Sequence, residues 1–142
     1  IKKGIEYNKI KNIILHEIGL SDKIGLAKIM WHSSNSGGGT FHAKMCDPKL
    51  HKTEVIELQS LDYFISFNNI KNIKLMKIDC EGSEYGILFT SNSLHMVDYL
   101  SAEIHINKHL ESMGYTPEKL ISYIRNYIHP SKFVYKAIKM AE

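Results

Sequence analysis

The 142-residue chain has a hydrophobic content of 44%, which suits one domain with a modest core. Its formal charge is +3, but Arg125 is its single arginine and the lysines are scattered, which argues against a nucleic-acid partner. No apolar run of about 18 residues and no charged-then-apolar leader is present, so no membrane segment is predicted. Cys46 and Cys80 lack the spacing of a metal or disulfide motif, which favours reduced thiols and a cytoplasmic location.

The first part of the chain is predicted to be β-structure. Residues 12–20 are rich in β-branched side chains, which indicates a strand. Ser21, Asp22 and Gly25 predict a turn into a second strand over residues 24–31. The two strands are therefore expected to form a hairpin-like pair.

A glycine-rich segment, residues 33–40, follows the second predicted strand. Glycine loses much backbone freedom on ordering, which favours a flexible loop that is either a lid over a site or a plain linker. Trp31, at the edge of this segment, either lines a substrate pocket or packs in the core. Residues 54–59 alternate between apolar and polar side chains and predict an edge-like strand.

The next part of the chain alternates predicted helices and strands. Ser60 is expected to cap a helix over residues 61–67. A short apolar strand ends at Ile78, before a helix over residues 84–88 and a strand over residues 97–106. This strand, helix and strand order predicts parallel neighbours within one sheet.

The carboxyl-terminal part begins with a strong helix start. Thr116 is a favourable cap residue, Pro117 suits the first helical position and Glu118 places an acid in the first turn. An apolar stripe at helical spacing follows, which is typical of a core face. Residues 132–140 predict a last strand at the edge of the sheet, where lysines discourage pairing between molecules.

Acidic residues gather where the short apolar strand ends. Asp79, Glu81 and Glu84 surround Gly82, and Ser83 is placed to cap the following helix. Ligands of open α/β sheets bind beyond the carboxyl ends of strands, so these carboxylates are placed for chemistry. Capping and solvation explain them about equally well when the turn is taken alone.

Glu103 and His105 lie two residues apart on the next predicted strand and therefore share one face near its end. Together with His109 and the acids of the turn, they offer oxygen and imidazole ligands for a divalent ion. Their spacing matches no zinc motif, so an acid/base or substrate-binding cluster without a metal is the favoured interpretation.

The twelve-residue segment KIDCEGSEYGIL, which begins at Lys77, resembles the signature of the FkbM-type S-adenosylmethionine-dependent methyltransferases. Other segments agree with the family in order and spacing: the glycine run of residues 37–39, SLDYF at residues 60–64 and LSAEIH at residues 100–105. The resemblance implies an α/β fold with a partial doubly wound, Rossmann-like and mostly parallel sheet flanked by helices. It also implies S-adenosylmethionine as the cofactor.

The resemblance further implies catalytic and cofactor-binding roles. Asp79, Glu81 and Glu103 are the expected bases for the proton of the acceptor, with His105 as a proton relay. The expected cofactor contacts, on a strand end beside the adenine ring, are Gly19, Leu20, Ser21 and Asp22. A plain solvent turn at residues 21–22 is an equally good interpretation.

Four further residues are expected to support the site or the substrate. Lys77 is costly to bury in a strand unless it pairs with a carboxylate, so a pair between Lys77 and an acid is predicted. Glu84 is expected to favour the positive start of a helix. Gly82 and Trp31 complete this supporting set.

One part of the family pattern is missing from the sequence, namely the glycine-rich turn and the ribose-binding acid. Because the chain also begins with Ile1, we expect residues 1–142 to form a single domain at the carboxyl-terminal part of a longer enzyme. The expected reaction is O-methylation of a sugar, glycan or other small molecule. A metal-dependent sugar- or phosphate-group transferase or hydrolase and a non-catalytic interaction domain are the alternatives, and the incomplete sheet predicts self-association.

Overall fold

The computed structural model describes residues 1–32, 35–40 and 51–140, and the side chains of residues 31–51 lie outside the described part. The chain is a mixed α/β protein. Its helices are α1 (Lys2–Tyr7), α2 (Leu61–Phe67), α3 (Glu84–Phe89), α4 (Lys108–Ser112) and α5 (Pro117–Ile124). Its strands are β1 (Gly19–Leu20), β2 (Gly25–His32), β3 (Asn35–Thr40), β4 (His51–Gln59), β5 (Met76–Ile78), β6 (Leu100–Ile106) and β7 (Phe133–Lys139).

The strands form two sheets. A mixed sheet has the order β1-β4-β2-β3, in which β1 and β4 are parallel and the other neighbours are antiparallel. A second sheet has the order β5-β6-β7, and both of its strand pairs are parallel. The parallel neighbours predicted for the second half are therefore present, and β7 lies at a sheet edge as expected.

The first predicted strand is much shorter than expected. Only Gly19–Leu20 pairs, whereas residues 13–18 have no regular structure, and Ile14 is 83% exposed. The predicted hairpin is wrong, because β1 pairs with β4 and not with β2. A β-carbon on Gly19 would lie 2.8 Å from Leu58 Cδ2, so glycine permits this close approach of β1 to β4. Propensity alone does not make a strand where no partner strand lies alongside.

Two other expectations for the mixed sheet are also wrong. Asn35–Thr40, predicted as a flexible loop, pairs with β2, while residues 33–34 lie outside the described residues. The strand predicted at an edge, β4, lies between β1 and β2. Its alternation is confirmed, since Leu58 is buried and Val55 is 57% exposed. The pattern therefore predicted which face is buried but not the position of the strand in the sheet.

The helix starts of the second half follow the predicted chemistry. Ser60 Oγ accepts a hydrogen bond from the Tyr63 backbone N–H at 3.1 Å, and Thr116 Oγ1 accepts one from the Lys119 N–H at 3.3 Å. Each cap satisfies an N–H group that has no partner within its helix. Strand β6 begins at Leu100, later than predicted.

The core lies where α2, α3 and α5 pack on the parallel sheet. Tyr85 in α3 is fully buried and its ring stacks on Tyr115 at a centroid distance of 5.1 Å. Side chains from each of the three helices and from β5 and β6 are almost completely buried, including Ile65, Ile78, Leu88, Leu100, Ile104, Leu120 and Ile124. Within the described residues, no helix combines the length and apolar character that a bilayer span requires.

Candidate active site

The register of the parallel sheet brings the acidic residues together. Lys77 on β5 is aligned with Ser101 on β6, and Ile78 with Ala102. Because side chains alternate along a strand, the even-numbered residues of both strands point into the core, and the odd-numbered ones share the other face. Asp79, which follows β5, therefore comes to lie beside Glu103.

Lys77 connects two of the predicted catalytic acids. Its Nζ donates hydrogen bonds to Asp79 Oδ2 at 3.1 Å and to Glu103 Oε1 at 3.0 Å. The predicted pair with an acid is present, but Lys77 is half exposed and not buried as expected. The hydrogen bond to Glu103, followed by the one to Asp79, raises the pKa of Lys77 above its usual value despite slight desolvation. The ammonium thus holds both carboxylates in place on one face of the sheet.

The turn after β5 has an unusual backbone. Glu81 has a φ of 50° and Gly82 a φ of 102°, a region that L-residues other than glycine, asparagine and aspartate rarely adopt. The left-handed conformation of a residue such as glutamate costs about 1 kcal/mol. It brings Glu81 Oε2 to 3.7 Å from His105 Nε2. The strained turn thus places a third carboxylate beside the first two.

Glu84 holds this turn from inside the protein. The carboxylate is fully buried, and it accepts hydrogen bonds from the backbone N–H groups of Cys80 at 2.6 Å and Gly82 at 2.9 Å. Its Oε1 also lies 3.0 Å from His105 Nδ1. The prediction that Ser83 caps α3 is wrong: its backbone is helical, with φ of −80° and ψ of −7°, whereas a cap residue is normally extended, and its side chain makes no cap hydrogen bond.

His105 is the buried member of the cluster, with 4% of its surface exposed. Its Nδ1 is within hydrogen-bond distance of the Glu84 carboxylate. Nε2 faces Asp79 Oδ1 at 3.9 Å and Glu81 Oε2 at 3.7 Å. One ligand atom from each of these three residues lies within 4.8 Å of the others. The structure therefore brings His105, Asp79 and Glu81 into one small group.

A cavity of about 230 Å³ lies next to the turn. It is lined by Ser21, Asp22, Gly82, Ser83, Gly86, His109, Leu110, Met113 and Tyr115. Of the four predicted cofactor contacts, Ser21 and Asp22 line this cavity, whereas Gly19 packs on β4 and Leu20 packs against the core. Gly86 in α3 allows the helix to pack closely against Asp22, because an added β-carbon at Gly86 would lie 3.4 Å from Asp22 Cβ.

The sequence model of the methyltransferase FkbM domain matches residues 4–129 of the chain. The chain belongs to the FkbM methyltransferase family. Comparisons with curated proteins and with solved structures give no significant match. The acidic turn and the cavity thus both lie within the FkbM methyltransferase domain of this chain.

Two further residues of this FkbM domain have defined positions. The Cys80 thiol is unpaired, and burial raises its pKa, so it is protonated near neutral pH and a poor nucleophile. His109, considered as a metal ligand from the sequence, lines the cavity and is not a member of the three-residue group. Trp31 lies in β2, but its side chain is outside the described residues.

Sequence reasoning missed how Glu84 and the cavity are built. An acid in the first turn of a helix predicts a favourable charge at the helix start, but it gives no indication of complete burial. The contributions of Met113 and Tyr115 to the cavity depend on contacts between distant segments. Their residue types give no pattern that would have identified them.

Proposed function

We propose that this protein is an S-adenosylmethionine-dependent methyltransferase that methylates a hydroxyl group of a sugar, glycan or other small molecule. Membership of the FkbM family supports the methyl transfer. The observation that carries the O-methylation is the convergence of Asp79, Glu81, Glu103 and His105 at the carboxyl ends of neighbouring parallel strands. In α/β sheets this rim is where substrates bind.

The proposed step is a displacement at the methyl carbon. The acceptor oxygen attacks that carbon, an O–C bond forms, the S–C bond breaks, and S-adenosylhomocysteine leaves. The hydroxyl proton passes to a carboxylate of the cluster. A positioned base contributes roughly 100- to 10,000-fold in rate, and alignment of the two reactants contributes several kcal/mol more.

We assign the proton to Glu81 among the three acids. Lys77 donates hydrogen bonds to Asp79 and Glu103, and a bound ammonium makes a carboxylate a weaker base. Glu81 has no such contact with Lys77, and 42% of its side chain is exposed, which leaves it accessible to a substrate. His105, next to Glu81 and held by Glu84, is then the relay that receives the proton.

The cavity beside the turn supports a cofactor site. Its volume of about 230 Å³ is smaller than the roughly 300–1,000 Å³ of whole ligand pockets, so it would enclose one part of the cofactor. Ser21 and Asp22 offer a hydroxyl and a carboxylate to polar groups there. We further propose that the parallel sheet belongs to a Rossmann-like, doubly wound sheet and that the protein acts in the cytoplasm.

Transfer of a radiolabelled methyl group from S-adenosylmethionine to a panel of hydroxyl-bearing sugars and small molecules tests the proposal. Glu81→Gln should lower kcat at least 100-fold, whereas Asp79→Asn and Glu103→Gln should lower it less and also raise KM, because they disturb the Lys77 contacts. Cofactor affinity, measured by calorimetry, should stay within about twofold in Glu81→Gln.

Asp98→Asn is the matched control, since Asp98 is a half-exposed acid paired with Lys74 away from the cluster. It should keep the rate of the unchanged protein. Equal rates for Glu81→Gln and Asp98→Asn would remove Glu81 as the base. Failure of the protein to bind S-adenosylmethionine at millimolar concentration would count against the cofactor assignment itself.

A further inference from the structure

We propose that Asp79, Glu81 and His105 form a binding site for one divalent metal ion of borderline character, such as Mn²⁺. Neither the family match nor the proposed methyl transfer assigns a metal to this chain. The group supplies two carboxylates and one imidazole, with one ligand atom from each within 4.8 Å of the others. Carboxylates suit Mg²⁺ and Mn²⁺ and imidazole suits transition metals, so Mn²⁺ satisfies both preferences.

The buried imidazole provides the decisive observation. His105 has 5% of its side chain exposed, and its Nδ1 lies 3.0 Å from the fully buried Glu84 carboxylate. Nε2 points at two carboxylate oxygens, but both distances, 3.7 and 3.9 Å, exceed hydrogen-bond length. The gap between Nε2 and these two carboxylate oxygens is the space that a cation bound to all three residues would occupy.

The surroundings of the three ligand atoms already have the form of a metal site. The contact between His105 Nδ1 and Glu84 is the carboxylate–imidazole pair that commonly orients a metal-binding histidine and fixes its tautomer. Lys77 binds Asp79 through Oδ2, which leaves Oδ1 on the side of His105. Glu84 thus holds His105 and Lys77 holds Asp79, and neither neighbour fills the position proposed for the ion.

The strained turn completes the site. Glu81 adopts its left-handed backbone and directs its carboxylate to His105, although three other acids stand close by. Asp79, Glu84 and Glu103 are those acids, and Lys77 compensates only part of their charge. A divalent ion would relieve the remaining repulsion, because opposite charges a few Å apart attract strongly in a partly buried site.

An ion at this position has a consequence for the reaction, and this consequence rests on the proposed function. A carboxylate has two oxygens, so Glu81 would bind the ion through one of them and receive the acceptor proton with the other. Positions around the ion that the protein does not fill would be open to the acceptor oxygen. Metal binding itself is independent of methyl transfer and is measured without cofactor or acceptor.

A titration of the EDTA-treated protein with Mn²⁺ tests the site. Binding is measured as the loss of the free-ion signal in electron paramagnetic resonance. We expect about one ion per chain and a higher unfolding temperature when Mn²⁺ is present. Glu81→Gln and Asp79→Asn should each weaken binding at least 10-fold. Both side chains are more than 40% exposed, so these variants are expected to fold.

Asp98→Asn serves as the control and should bind Mn²⁺ like the unchanged protein. His105→Gln should abolish binding, and circular dichroism establishes whether that buried substitution leaves the fold intact. An unchanged free-ion signal with the wild-type protein would overturn the inference. So would equal affinity of Glu81→Gln and Asp98→Asn, which would show that the ion binds elsewhere. Methyl transfer that persists in EDTA would support the proposed function and would show that the ion takes no part in the reaction.

Discussion

The two sheets differ in how completely they are covered. The strands of the parallel sheet carry several almost completely buried residues, such as Leu100 and Ile104, and helices pack on it. In the mixed sheet, Leu26 is 76% and Val55 is 57% exposed, and Leu58 is its buried hydrophobic residue among the described ones. Stability is therefore concentrated in the parallel sheet and its helices.

The proposed catalytic residues lie at the rim of the better-covered sheet. Asp79 follows β5 and Glu103 lies on β6, and the opposite faces of these strands are mostly buried in the core. The mixed sheet contributes Ser21 and Asp22, which lie just after its two-residue strand β1. The proposed catalytic acids are thus supported by the well-packed sheet, whereas the proposed cofactor cavity is partly lined by the less covered one. Mutations can test this difference.

The largest contrast is expected from one substitution made in each sheet. Leu100→Ala removes a side chain that is 1% exposed and should lower the free energy of unfolding by about 2–5 kcal/mol. Leu26→Ala removes one that is 76% exposed and should change it by less than about 0.5 kcal/mol. Urea unfolding measures both. Equal losses would mean that another surface covers the mixed sheet.

A second contrast concerns two glycines. An added β-carbon at Gly82, where φ is 102°, would lie 3.1 Å from Leu110 Cδ1, so Gly82→Ala should destabilise the protein by about 1–3 kcal/mol. Gly4, in α1, has open space around it, and Gly4→Ala should stabilise by about 0.4–1 kcal/mol. Thermal unfolding shows whether each substitution raises or lowers the stability of the protein. A neutral Gly82→Ala would show that the turn adapts easily.

A third test uses the carboxylate that ties α2 to the segment after α3. Burial alone would raise the pKa of Asp62, but hydrogen bonds from Ser91, Asn92 and Ser93 lower it below its usual value. A lowered pKa means that the stabilisation is full above the unfolded value of 3.8 and is lost as pH falls through the folded pKa. Asp62→Asn should cost about 1–2 kcal/mol at pH 7.

The pH series supplies the check on this third test. The difference in unfolding free energy between the unchanged protein and Asp62→Asn should narrow as pH falls below 3.8. Glu54→Gln, an exposed substitution in the mixed sheet, should stay within about 0.5 kcal/mol of the unchanged protein at pH 7. A difference for Asp62→Asn that does not depend on pH would mean that the charge of Asp62 plays no part.

The parallel half could largely be predicted from the sequence, because its local and long-range preferences agree. Ser60 and Thr116 have the chemistry of caps and act as caps, and Ile78 is buried in the expected strand, although Leu75 of the same apolar run is 64% exposed. The gathering of Asp79 with Glu103 followed from side-chain alternation on parallel neighbours. These inferences needed only the spacing of apolar residues along the chain and the residue types that are typical of helix starts.

The remaining features depend on contacts that no local pattern specifies. β1 pairs with β4 because Gly19 permits a close approach to side chains about forty residues later, and a strand pattern does not name its partner. The burial of Glu84 depends on His105 and on the turn that covers it. The left-handed backbone of Glu81 was equally hidden, because glutamate gives no preference for that conformation.

The smallest expected effect on stability separates strain from function at Glu81. Glu81→Gly removes a side chain from a backbone with φ of 50° and so relieves its strain. Glycine also adds entropy to the unfolded chain, but we expect the relief of strain to be the larger effect. The free energy of unfolding should therefore rise by up to about 1 kcal/mol. Glu57→Gly makes the same change in a regular strand of the mixed sheet and should lower stability by about 0.5–1 kcal/mol. Glu81→Gly should nevertheless lose methyl transfer, since the carboxylate is gone. A more stable and inactive Glu81→Gly would show that the strained turn is retained for its chemistry, whereas a destabilised one would show that the Glu81 side chain itself supports the fold.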